Sequence, residues 1–166
     1  MNVLTAVENF GFSVWVRESG SLWSYPTILF LHSLGLALVV GLKTAIDLRL
    51  LGFAPTLPIA PMKRMFPMMW AAFALNAVSG VALLMADAST MMRSPVFAVK
   101  MALIALAVVV LSVMQTRVFR GDGPAGDRVS ASVKALAVTS LLLWTAAITA
   151  GRLTAYLGPA VGLVQK

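Results

Sequence analysis

Four apolar runs, each about as long as a bilayer is thick, constrain this chain more than anything else in it. They cover residues 25–46, 67–86, 95–116 and 135–157. A helix needs about 20 residues to cross about 30 Å of hydrocarbon. Backbone polar groups in lipid must be satisfied within the segment, so the four runs are predicted helices. Barrel strands would show as alternating runs about ten residues long, and none is visible. The expected fold class is therefore all-α. It is a polytopic membrane protein, an antiparallel four-transmembrane-helix bundle in residues 24–166, preceded by an N-terminal amphipathic interfacial helix in residues 1–23.

Composition agrees. Of 166 residues, 60% are hydrophobic and only 11% charged, against roughly 45–50% and about 25% in soluble domains. A soluble chain this short could not hide so much apolar surface. The formal net charge of +7 on a soluble domain would point to nucleic acid. Here the thirteen Lys and Arg residues lie mostly between the apolar runs, with no basic stripe interleaved with aromatics. They fit topology and anionic headgroups. The lipid bilayer is the expected partner, and nucleic acid is not. Cysteine is absent, which removes disulfides, thiolate metal sites and cysteine nucleophiles.

The connections set the expected orientation. Arg49, Lys63, Arg64, Arg117, Arg120, Arg128 and Lys134 flank the first and third loops, the latter around a Gly-Asp-Gly-Pro turn beginning at Gly121. Arg17, Arg93, Arg152 and Lys166 fall on the other side. The positive-inside rule then places both termini outside a bacterial inner (plasma) membrane. The N-terminus carries Glu8 and Glu18 and no basic n-region, so it does not read as a cleaved signal peptide, and the first span is expected to serve as the targeting signal. Val3, Leu4, Val7, Phe10, Val14, Trp15 and Leu22 recur near helical spacing, opposite Thr5, Glu8, Asn9, Ser13 and Arg17. That predicts one helix in the outer interface, shielding the bundle edge or docking a partner.

Polar residues within the spans are the best pointers to function, since a central charge costs about 2.5–3.5 kcal/mol on insertion scales. At 1.5 Å per residue, His32 lies about 10 Å from the outer end of its span, and Lys100 and Arg152 about 8 Å. Ser79 and Gly80 fall at a similar level, with Asn76 a turn deeper. Thr145, Thr149, Arg152 and Tyr156 share one face of the fourth span. Facing inward, these residues would frame a positively charged pocket for haem propionates, a quinone head group or a small anion. His32, Asn76, Lys100, Arg152 and Tyr156 are the candidate binding residues, and His32 the candidate metal ligand.

Each also has a structural role open to it. Lys100 and Arg152 are near enough to the surface to snorkel, Asp87 can pair with Arg93 or Lys100, and Asn76 and Ser79 suit interhelical glue. Lys43, eleven residues from His32 and nearly on the same face, leaves open a polar track along the first span; the simpler reading of Lys43, Asp47 and Arg49 is a snorkelling lysine beside a topology-setting Asp–Arg pair. Met62, Met65, Met68 and Met69 crowd the start of the second span, and Met91 and Met92 lie on the outer turn. Thioethers are soft ligands for Cu(I) but also common apolar filler. Glycine-rich phosphate loops, serine–histidine–carboxylate sets and paired intramembrane carboxylates are missing, so no catalytic residues are expected.

Two segments carry a resemblance. The first is Trp23-Ser-Tyr-Pro26, His32-Ser-Leu-Gly35, Gly41 and Asp47-Leu-Arg-Leu-Leu-Gly52; the second is Ser140-Leu-Leu-Leu-Trp144, Gly151-Arg152 and Tyr156, with Lys100 between them. In this order they resemble a family of short bacterial four-helix membrane proteins of unknown function. They are also distantly similar to copper-resistance membrane proteins and to haem-binding four-helix b-type cytochromes. The resemblance implies a four-helix membrane fold and makes His32 a candidate haem ligand, although a second axial histidine has no counterpart here. The expected function is a multi-pass membrane protein with a haem, quinone or anion pocket. The alternatives are a non-catalytic subunit docked to a partner membrane protein, and a homodimeric transporter of a small solute or copper.

Overall fold

A computed structural model describes residues 3–119 and 129–163. The turn beginning at Gly121, with Arg120 and Arg128, and the terminal Lys166 lie outside the described residues. The helices are α1 (Val3–Glu8), α2 (Gly11–Glu18), α3 (Tyr25–Leu51), α4 (Met65–Ala86), α5 (Ala88–Arg93), α6 (Pro95–Phe119) and α7 (Ala131–Leu163), with a 3-10 turn at Ala60–Arg64 before α4. No strand occurs among the described residues. Four segments are long and apolar enough to cross a membrane: Tyr25–Leu51, Ala60–Ala86, Pro95–Val118 and Ala131–Thr154. Phe30, Val78, Val109 and Leu142 point outward, each more than half exposed. A run of such side chains on every long helix needs an apolar solvent.

Local signals fix where each helix stops, and they move the expected ends. The α3 helix runs past residue 46 because its stop signal is Gly52, not Asp47. Gly52 takes a left-handed φ of 107°, and the amides of Gly52 and Phe53 bond back to the carbonyls of Arg49 and Leu48. This is the usual glycine termination of a helix. The extra turn carries Asp47, Arg49 and Leu50 into the interior. Pro26 in the first turn suits the start of α3. At the other end of the chain α7 starts at Ala131 rather than 135, since the Ser130 hydroxyl accepts from the Val133 amide at 3.4 Å.

The N-terminal segment departs from the single helix expected over residues 1–23. It is broken at Phe10, whose ψ of 136° is extended, within an Asn-Phe-Gly sequence that holds a helix poorly. The Ser13 hydroxyl closes the corner on the Val7 carbonyl at 2.7 Å. Packing then follows pairs: α3 on α4, α6 on α7, α3 on α7, with α2 against α4 and α1 against α5.

Two charged side chains fasten this arm to the α4–α5 corner. The Glu8 carboxylate accepts from the Ser89 amide at 2.7 Å and the Ser89 hydroxyl at 2.6 Å. Arg17 donates to the Ala86 carbonyl at 3.3 Å, at the end of α4. An anion at a helix start and a cation at a helix end both match the local dipoles. The expected pairing of Asp87 with Arg93 or Lys100 is not formed; the ion pairs among the described residues are Arg17–Glu18 and Lys43–Asp47.

The Ser89 hydroxyl, then its amide, hold the Glu8 carboxyl below its ordinary value of 4.5, with help from Arg17 and Arg93. A depressed carboxylate contributes its stabilisation above the ordinary value and loses it as pH falls through the depressed one. Acidification through that range is therefore expected to raise amide hydrogen exchange in α1 while leaving α3 unchanged. Glu8→Ala should show the same fast exchange at neutral pH and no further pH response; slow exchange in the variant would mean the arm is held by other contacts.

Candidate functional site

The inward face of α3 organises the interior. Gly35, Val39, Lys43, Ile46, Asp47 and Leu50 are buried along it, and His32 is half-buried near its start. Spacings of three and four place them on one helix face. Polar residues gather on this face at two levels.

The first level is centred on His32. Its Nδ1–H donates to the Asn76 carbonyl at 2.9 Å, and the Asn76 side-chain amide donates to the His32 carbonyl at 2.7 Å. The acceptors are backbone carbonyls, so Nδ1 must carry a proton, and in the neutral ring Nε2 holds the lone pair. Nε2 makes no hydrogen bond among the described residues. Glycine makes the contact geometry possible at two places. A Cβ on Gly35 would lie 2.9 Å from the Ala72 carbonyl oxygen and 2.9 Å from the Asn76 nitrogen, and one on Gly80 would lie 3.0 Å from His32 Cε1. The α3 and α4 backbones thus touch, and the imidazole lies against α4 where Gly80 leaves room.

Lys100 completes this level from α6. Its stem passes over Gly151 of α7, with Cε 3.7 Å from a Cβ built there. Its ammonium is 6.0 Å from the Phe97 ring centroid and within electrostatic reach of His32. It has no carboxylate partner among the described residues. The structure therefore brings together His32, Asn76 and Ser79, with Lys100 near enough for its charge to act on His32.

It does not bring in Arg152 or Tyr156. Thr145, Thr149, Arg152 and Tyr156 are all exposed, Tyr156 at 72%. The inward face of α7 is instead Ala137, Ser140, Trp144, Ala147, Ala150 and Thr154. Alanines and one large indole fill an interhelical seam closely, whereas arginine near a helix end can extend its head to water. The expected inward polar stripe of this helix is corrected accordingly.

The second level was not expected as a site. Lys43 and Asp47 form an ion pair with side-chain exposures of 1% and 0%. Lys43 is not snorkelling, and Asp47 is not paired with Arg49. Lys43 Nζ also contacts the Met114 sulfur of α6 at 3.2 Å. Ser140 of α7 faces the Asp47 carboxylate, yet Asp47 Oδ2, Ser140 Oγ and the Trp144 indole nitrogen are buried without a hydrogen bond of ordinary geometry. Arg49 donates to the Leu57 and Pro55 carbonyls at 2.5 and 3.0 Å, drawing the following loop across this end. Val39, Ala72, Ala107 and Trp144 form an apolar cluster between the two levels.

No protein-family model, curated protein or solved structure matches this chain.

The donor set bears on metals and haem. No group of three or more His, Cys, Asp or Glu that could hold a metal ion occurs among the described residues. Met62, Met65 and Met69 pack in an apolar cluster with Ile46, Leu50 and Phe66, and Met68 is about half exposed, so these thioethers serve packing. The direct backbone contact at Gly35 leaves no width for a macrocycle between α3 and α4 beside His32. Haem does not fit there.

The signals for the second level were nonetheless in the chain. Lys43 and Asp47 are opposite charges four apart, Ser140 and Trp144 are also four apart, and Gly52 rather than Asp47 ends the helix.

Two outcomes test this packing. Gly35→Ala is expected to destabilise the folded protein by about 1–3 kcal/mol through overpacking. Gly41→Ala, with open space around it, should be neutral or gain up to about 1 kcal/mol from a better helix former. Thermal unfolding in detergent compares them, and equal effects would contradict the close contact. For the ion pair, Asp47→Ala should cost about 3–5 kcal/mol, while the double change Lys43→Met with Asp47→Leu should recover most of it. A double variant no better than the single one would show that the pair is not an isolated charge-compensation unit.

Proposed function

We propose that this protein is a multi-pass bacterial inner-membrane protein that binds a small oxygen-rich ligand, best matched by a quinone head group, at the His32 level. The observation that carries this is the pairing of an imidazole whose Nδ1 is already committed with a lysine that has no carboxylate partner among the described residues. Lys100 is a donor suited to a carbonyl oxygen. His32 Nε2 is an acceptor suited to a hydroxyl, so the two together match the oxidised and reduced forms of one ring.

The architecture in this proposal is an antiparallel four-helix bundle, with α1 and α2 lying in the outer interface and both termini outside. Contacts that run in opposite order along α3 and α4, from His32–Gly80 to Gly35–Ala72, support the antiparallel arrangement. The excess of Lys and Arg at the opposite end supports the orientation. On that orientation the His32 level is in the outer half and the Lys43–Asp47 level in the inner half. The proposal also retains the resemblance to short bacterial four-helix membrane proteins, since His32, Gly35, Asp47 and Gly151 all lie at interhelical contacts.

Purified protein titrated with a short-chain quinone is expected to show saturable quenching of tryptophan fluorescence. Lys100→Met should weaken binding about tenfold or more, since a hydrogen bond to a charged group contributes about 1.5–3 kcal/mol and 1.4 kcal/mol is a factor of ten. His32→Phe should weaken it comparably, whereas Arg152→Gln should leave it unchanged. No saturable binding, or loss caused by Arg152→Gln alone, would overturn the assignment.

A further inference from the structure

The Lys43–Asp47 level carries an inference independent of the quinone proposal. A fully buried ion pair survives in a bundle of this kind only when its remaining lone pairs and protons are matched, because leaving a buried charged group unpartnered is costly. Asp47 uses one carboxylate oxygen on Lys43 and leaves Oδ2 buried and unmatched. Ser140 Oγ, which approaches that carboxylate from α7 closely enough to act on it, is likewise buried and makes no hydrogen bond of ordinary geometry. One turn further along the same face, the Trp144 indole N–H is buried without an acceptor. Two unmatched acceptor or hydroxyl oxygens and one unmatched donor, on two helices, form a polar niche beside an ion pair. Apolar side chains bound it on both sides: the cluster of Val39, Ala72 and Ala107 on one, and Ile46, Leu50 and Phe66 on the other.

We propose that Asp47, Ser140 and Trp144 line a second binding site, occupied by water, which makes the Lys43–Asp47 pair a hydrated proton-exchanging centre rather than a dry structural bridge. Water is the occupant because it donates to Oδ2, accepts from the indole N–H, and either donates to or accepts from the hydroxyl. Buried waters make about three such bonds, to otherwise unmatched polar groups. Transfer of one proton from Lys43 Nζ to Asp47 Oδ1 turns the ion pair into a neutral amine and a carboxylic acid, and its return restores the pair, while the bound water donates to Oδ2 throughout and takes up no proton. The apolar cluster that includes Trp144 separates this centre from His32. The eleven-residue separation of His32 and Lys43 corresponds to about 16 Å of helix.

Radiolytic hydroxyl labelling of the intact protein separates wet from dry. Radicals formed from a bound water oxidise the side chains that touch it. Trp144, which lines the niche, and Met114, which shares the apolar cluster of Met69 but also contacts Lys43 Nζ, are then expected to label several-fold faster than Met69, which is equally buried and has no such polar contact among the described residues. Ser140→Val, which fills the niche with a methyl group, should bring Met114 and Trp144 down toward the Met69 rate. Met114 and Trp144 labelling as slowly as Met69 in the unaltered protein would overturn the proposal. So would fast labelling that Ser140→Val leaves untouched in a variant whose unfolding temperature is unchanged. If Ser140→Val fails to fold, Ser140→Ala serves, with the same comparison to Met69. Quinone binding at His32 can fail without altering any of these rates.

Discussion

The backbone contact between α3 and α4 at Gly35 is the constraint on which the interior depends. In lipid there is little apolar driving force between helices, so association rests on close packing and on hydrogen bonds across the seam. Both are concentrated here. Gly35 lets α3 approach the Ala72 carbonyl and the Asn76 amide nitrogen, and one turn away His32 and Asn76 exchange two hydrogen bonds. A larger residue at position 35 would part the helices and lengthen both bonds together. The same contact decides what His32 can be. With Nδ1 spent on the seam, only Nε2 is left for chemistry, and the narrowness that fixes the ring also rejects a macrocycle.

Register along α3 follows from that anchor. Once His32 and Gly35 are seated on α4, the helical repeat brings Val39 into the apolar middle and Lys43 and Asp47 against α6 and α7. The polar groups therefore fall into two levels with an apolar layer between them, and each level recruits α6 and α7 separately. Lys100 with Gly151 does so at one level, and Met114 with Ser140 and Trp144 at the other. A buried ion pair is weak evidence of stability, because desolvation offsets its attraction. Its effect here is to tie α3 to the α6–α7 pair at one rotation, since turning α3 would expose two charges to apolar surroundings.

The spans were legible because length and apolarity are direct consequences of bilayer thickness, and nothing tertiary is needed to see them. Their ends were less so. Asp47 reads as a loop residue if charge is taken to end a membrane helix, whereas the backbone continues until Gly52 can turn left-handed. That one misplacement hid the second polar level, as it put Asp47 outside the interior and left Lys43 without its partner. At the first level, depth counting put His32, Lys100 and Ser79 at similar depth with Asn76 a turn deeper, since all are measured from span ends. It misjudged Arg152 and Tyr156, which share their depth but not their facing. Depth is a property of one helix; facing depends on which side of α7 its neighbours occupy, and Trp144 with the alanines took that side.

The arginines near the helix ends show why charge patterns alone carry topology further than they carry structure. Arg49 counts toward the positive side, yet it is buried and holds the Pro55 and Leu57 carbonyls. Arg17 counts toward the opposite side, yet it reaches the last carbonyl of α4. Each guanidinium supplies donors to carbonyls that a helix end or tight loop would otherwise leave unmatched in a poorly hydrated region. An arginine thus fixes a neighbouring short segment at two helix ends, α2 at the end of α4 and the segment 55–57 at the end of α3. The two polar levels lie inward of these ends, His32 against Gly80 on the Arg17 side and Lys43–Asp47 beside Arg49. Charge counting assigns both arginines to a side, but only their carbonyl partners show that each helps hold a helix end near a buried polar level.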